Sequence, residues 1–102
     1  MKNFYSYQLA KELYFAIQKL SWAHQDLRDQ VRRASLSVVL NLSEGSGKRS
    51  KRDRRRFYQI AMGSLRETQA CLDLGGHRAA AATADRLGGC LFRLLQNPGE
   101  FP

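Results

Sequence analysis

Apolar residues return every three or four positions in four successive stretches of this chain, a period that buries well only in packed α-helices. In the first stretch Leu9, Leu13, Ile17 and Leu20 recur at steps of four and three, with Ala10, Tyr14 and Ala16 widening the stripe. Lys11, Glu12, Gln18 and Lys19 take the opposite side. The second stretch repeats the pattern with Leu27, Val31, Ala34, Val38 and Leu42, the third with Tyr58, Ala61, Leu65, Thr68 and Leu72, and the fourth with Leu87, Leu91, Leu94 and Leu95. Strand-like alternation is absent.

The punctuation between stretches sets the expected boundaries. Helices are predicted at 6–22, 27–43, 51–74 and 78–95. Asp26 is the expected N-cap of the second. Ser50, with Asp53 three residues later, forms a capping-box-like start for the third. Gly45 and Gly47 are expected to supply a left-handed C-cap. Gly75-Gly76 ends the third helix and Asn97-Pro98-Gly99 the fourth. Gly88-Gly89 inside the fourth should cost about 1 kcal/mol each against alanine, so either a close helix contact or a break is expected there.

A chain of 102 residues with 43% hydrophobic content makes one domain, 1–102, with a core small enough to gain from partner subunits. Leu36, Val39 and Leu40 add a further apolar face to the second helix, expected to meet another subunit. The predicted fold is all-α: an antiparallel up-down-up-down four-helix bundle that assembles with itself. A hairpin of helices two and three centred near residue 48 would face Arg33 with Glu67 and Glu44 with Arg54 or Arg55. Asn41 is expected to hydrogen-bond backbone near Phe57 or Tyr58, because an unpaired buried amide costs about 1–3 kcal/mol. Asn41, Glu44, Ser64 and Glu67 are thus read as structural polar residues.

Charge is concentrated at one place, the turn 44–56. Residues 48–56 hold seven cations and one carboxylate, a net +6 out of the chain's +8. Helix chemistry opposes such a placement, since cations at a helix N-terminus face the positive end of the dipole. Free N–H groups there attract anions, and adding arginines makes a phosphate-type site. The expected nucleic-acid contacts are Lys48, Arg49, Lys51, Arg52, Arg54, Arg55 and Arg56, with Arg32 and Arg33 as auxiliaries. The bland reading is a solvated turn that keeps the protein dispersed.

Other chemistries lack support. Gly45-Ser-Gly-Lys-Arg-Ser50 fails as a phosphate-binding P-loop: Leu42 stands where a glycine is required, Arg49 stands where Ser or Thr is required, and the loop leaves a helix rather than a strand. His24 and His77 are far from each other and from both cysteines, so no metal signature exists. Cys71 and Cys90 fall on successive helices, roughly 12 Å apart along the axis at 1.5 Å per residue, and are expected to be unlinked core thiols in a reducing compartment. No catalytic set is positioned, so no enzyme and no cofactor are expected. Without a membrane-length apolar run or a signal peptide, a cytoplasmic protein is expected.

Three pieces occur in order: Arg32-Arg33-Ala34, Asn41-Leu42-Ser43-Glu44-Gly45, and Ala61-Met62-Gly63-Ser64-Leu65-Arg66-Glu67. With the flanking residues they make roughly 5–75 resemble the small bacterial proteins encoded in intervening sequences of 23S ribosomal RNA genes. That resemblance implies a four-helix bundle, often a ring-shaped homopentamer. It also implies a distant similarity to the accessory variability protein of diversity-generating retroelements, a basic bundle that binds nucleic acid and a reverse transcriptase. The first expectation for function is therefore a non-enzymatic oligomeric bundle binding RNA or DNA through phosphates. The alternative is a scaffold that docks an acidic protein, such as a reverse transcriptase or ribosomal protein. Membrane-surface binding ranks third, because the cations cluster at a turn rather than along a helix face.

Overall fold

The computed structural model describes residues 4–99. Four helices follow one another: α1 Tyr5–Gln18, α2 Gln25–Ser46, α3 Lys51–Gly75 and α4 Arg78–Gln96. The described residues contain no strand. α1 touches α2 and α4, and α3 touches α2 and α4, so the four helices enclose one core. Leu13, Ile17, Val31, Val38, Leu42, Tyr58, Leu65, Leu72, Leu87, Leu91 and Leu94 are fully buried in it. These are the inward positions the apolar period picked out. The described chain spans 42 × 20 × 20 Å.

Several boundaries differ from expectation, each for a physical reason. α1 stops at Gln18 instead of reaching Trp22, and its last turn tightens through Lys19 N–H to Ala16 O and Leu20 N–H to Ile17 O. Trp22 instead crosses to the α3–α4 link, where its ring meets His77 edge-on at 4.4 Å. Gly75 makes room for it, since a Cβ there would lie 2.5 Å from the indole. α2 begins at Gln25 after His24, which makes no side-chain cap bond. Asp26 therefore sits inside the first turn, where its charge suits the helix dipole, rather than capping it.

α2 also runs three residues further than expected, through Gly45 to Ser46. Its C-cap Gly47 has φ −86°, so no left-handed glycine ends this helix. Gly45 serves a different purpose. Its bare Cα faces the Tyr58 ring, and a Cβ would approach Cε1 to 2.7 Å. The left-handed glycine is Gly76, φ 72°, at the end of α3. There His77 N–H bonds Leu72 O and Gly76 N–H bonds Asp73 O, the paired bonds of a Schellman ending.

α4 is continuous through Gly88-Gly89. The break does not occur, because Leu87, Cys90, Leu91 and Leu94 bury one face on both sides of the pair. A Cβ on Gly88 would make only ordinary contact, 3.6 Å from Gln69 Nε2, and one on Gly89 would meet nothing. On the additional face of α2, Val39 is buried, whereas Leu36 and Leu40 are 39% and 56% exposed.

Candidate nucleic-acid interface

The basic run opens α3. Ser50 Oγ accepts Asp53 N–H at 3.1 Å, the cap its sequence promised, and the helix then projects Lys51, Arg52, Arg54, Arg55 and Arg56 within its first two turns. The last carbonyls of α4 and the residues after it arrive at the same end. Arg55 Nε donates to Leu95 O at 3.0 Å, a cation placed at the negative end of a helix. Gly99 packs against Lys51, so closely that a Cβ there would lie 3.0 Å from Cε. Arg54 folds back on the turn itself, Nε donating to Lys48 O at 2.8 Å.

Beside these lies Phe57, half-buried, with two cations over its ring. Lys48 Nζ stands 5.2 Å and Arg56 Cζ 4.8 Å from the centroid. Arg56 also lines an open depression of about 730 Å³ with Ser50, Arg52, Asp53, Arg55 and Gln59. Of Lys48, Arg49, Lys51, Arg52, Arg55 and Arg56, only Lys48 meets a carboxylate among the described residues, Glu44 at 3.3 Å. Glu44 is exposed and Lys48 partly so, and a contact this open to solvent contributes little. Among the described residues the charges of Arg49, Lys51, Arg52, Arg55 and Arg56 are therefore not paired with carboxylates. Under the turn, Tyr58 is fully buried and its hydroxyl has no hydrogen-bond partner among the described residues. Burial pushes its phenol above the ordinary value near 10, while the Arg54 charge pulls the other way.

The other expected site residues fall elsewhere. Arg32 and Arg33 lie on α2 roughly 20 Å along its axis from the turn, at 1.5 Å per residue, so they do not join the cluster. No ion pair links Arg33 and Glu67, both of which are exposed. The register explains this. Ser37 meets Ser64 at 2.7 Å, Oγ to Oγ, which puts Arg33 level with about residue 68. Thr68 faces inward there, and Glu67 points about 100° away around the helix. Asn41 bonds its own helix, Nδ2 to Ser37 O at 2.9 Å and to Ser37 Oγ at 3.1 Å, rather than the α3 backbone. Glu44 pairs with Lys48, one turn on, rather than with Arg54 or Arg55. Ser64 bridges the two helices through Ser37.

Sequence reasoning missed Gly45 as the seat of Tyr58, the cations over Phe57 and the Arg55–Leu95 bond. Proximity along the chain could have suggested Arg56 over Phe57. Nothing in the sequence pairs residues forty apart. Both cysteines are buried thiols without a disulfide, and burial, with Glu67 nearby, pushes Cys71 up. Among the described residues no group of three or more His, Cys, Asp or Glu could hold a metal, and no helix is long and apolar enough to cross a membrane.

No curated protein and no solved structure matches the chain significantly. A family model does, described as 23S rRNA-intervening sequence protein, over residues 4–85. That span takes in α1, α2, the whole basic turn, α3 and the first part of α4, and the chain accordingly belongs to the 23S rRNA-intervening sequence protein family.

Proposed function

We propose that this protein is a non-enzymatic basic bundle that binds RNA or DNA through phosphate contacts at the turn between α2 and α3. The observation that carries the reading is the set of exposed cations at one end of the molecule, Arg49, Lys51, Arg52, Arg55 and Arg56, none of which meets a carboxylate among the described residues. Arg49, Lys51, Arg52 and Arg56 are exposed, and Lys48, partly buried, belongs to the same turn. Contacts of this kind fix position and carry little sequence information. The family description, which names 23S rRNA, agrees with a nucleic-acid setting.

The same reading takes the helices as an up-down-up-down bundle, supported by the pairings Ser37 with Ser64, Gln69 with Asp85 and Arg55 with Leu95. It takes the protein as a cytoplasmic homo-oligomer, with exposed Leu36 and Leu40 as apolar surface for a second copy. A ring would repeat the basic end around its rim and raise affinity by avidity.

Electrophoretic shift with RNA and DNA at two salt concentrations tests the proposal. Five phosphate contacts predict a log–log salt slope of about −4 to −5 on duplex DNA for each engaged subunit. Arg49→Ala combined with Arg52→Ala removes two charges that make no side-chain bond among the described residues, so it should weaken binding and flatten the slope without unfolding the protein. Binding indifferent to salt and to that double substitution would overturn the proposal. Capture of an acidic protein that resists nuclease would favour a protein-docking role instead.

A further inference from the structure

Phosphate binding asks only for charge, yet the basic end also carries an aromatic ring and an apolar side chain. Phe57 is half-buried, not sealed in the core, and Arg56 lays its guanidinium 4.8 Å from the ring centroid. Arg56 itself is exposed and forms part of the wall of the open depression. The planar guanidinium is thus held over an aromatic ring at an exposed position. Ile60 lies one turn on, three residues after Phe57 and four after Arg56, which puts it on the same side of α3, and it is 46% exposed. Gln59, an amide with donors and an acceptor, lines the depression beside Arg56. Asp53, one turn before Phe57, is the one carboxylate of α3's first turns.

Resting on the phosphate reading above, we propose that the Arg56–Phe57 stack is a base platform, and that the ligand of this end is single-stranded nucleic acid, RNA loops included, in preference to duplex. Unpaired bases stack on aromatic rings and on guanidinium planes, whereas bases in a duplex keep both faces covered by their neighbours. Arg49, Lys51 and Arg52 hold the backbone while one splayed base lies on the guanidinium of Arg56. Ile60 lies at the apolar edge of that platform, and Gln59 offers hydrogen bonds to the base edge. Lys48, 5.2 Å from the same ring, adds charge without a stacking plane.

The test uses the full chain with three probes of matched phosphate number: a single-stranded RNA of about 12 nucleotides, within the range one such site covers, the corresponding RNA duplex, and inorganic polyphosphate. Wild type should bind the single strand more tightly than the other two. Phe57→Leu and, separately, Arg56→Lys should each weaken single-strand binding by roughly 5- to 150-fold, the loss of one stacked base. Polyphosphate binding should change less than about twofold, and the salt slope should stay the same, because no phosphate contact is lost. Arg56→Lys keeps the charge at an exposed position, so it remains informative if Phe57→Leu proves unstable. Equal losses on all three probes, or no loss on any, would overturn the platform while leaving phosphate binding standing. A wild type that binds none of the three would overturn both, and a wild type that favours duplex would overturn this one alone.

Discussion

Gly45 offers the sharpest test of how this bundle is packed. Alanine is the better helix former, and at an unconstrained helical position replacing glycine gains about 0.5–1 kcal/mol. At Gly45 the new Cβ would lie 2.7 Å from Tyr58 Cε1, 3.0 Å from Cδ1 and 3.1 Å from Phe57 Cβ. Tyr58 cannot swing aside into solvent, because it is fully buried with Phe4 packed near it, ring centroids 6.3 Å apart. Overpacking of this kind costs about 1–3 kcal/mol. Subtracting the propensity gain leaves Gly45→Ala destabilised by up to about 2.5 kcal/mol, with a central value of about 1 kcal/mol, or roughly 4–8 °C in Tm for a domain of this size. Gly63→Ala supplies the control on α3, where a Cβ meets nothing within 4 Å. It should raise Tm by a few degrees. Thermal unfolding followed by far-UV circular dichroism reads both. If Gly45→Ala melts as high as Gly63→Ala, the tight seating of Tyr58 against α2 is refuted.

Two further expectations follow from single contacts. Ser50→Ala removes the hydroxyl that accepts Asp53 N–H at the start of α3, and should cost about 1 kcal/mol, measured by urea unfolding. Ser50→Asp should recover that loss, since it restores an acceptor and adds a negative charge where the dipole and the neighbouring arginines favour one. Tyr58 links stability to alkaline pH. Its folded-state pKa is raised by burial, so the unfolded chain ionises first, near pH 10, and stability present below that value declines as pH climbs through the folded value. The urea midpoint should therefore fall between pH 8 and pH 11 more in the wild type than in Tyr58→Phe, and equal falls would show that the phenol is not desolvated.

The sequence carried the helices because the forces that make them are local. An apolar side chain every third or fourth residue and Ser50 three residues from Asp53 each act within a turn or two, so their number, rough limits and buried faces could be read from spacing alone. The concentration of charge at 48–56 was equally plain, since charge needs no fold to be counted. Register was not local. An offset of about one residue between α2 and α3, roughly 100° around the helix, set Ser37 against Ser64 and left Glu67 pointing away from Arg33. The glycines were ambiguous for the same reason. Gly45 read as a helix end, yet it serves a tyrosine thirteen residues away, and only the packing of α2 on α3 determines that a hydrogen atom is all that fits there. The basic end was likewise legible as charge but not as a surface. Which cation bonds Leu95 O and which turns back on Lys48 O depends on how three helix ends converge, and no spacing along the chain encodes that.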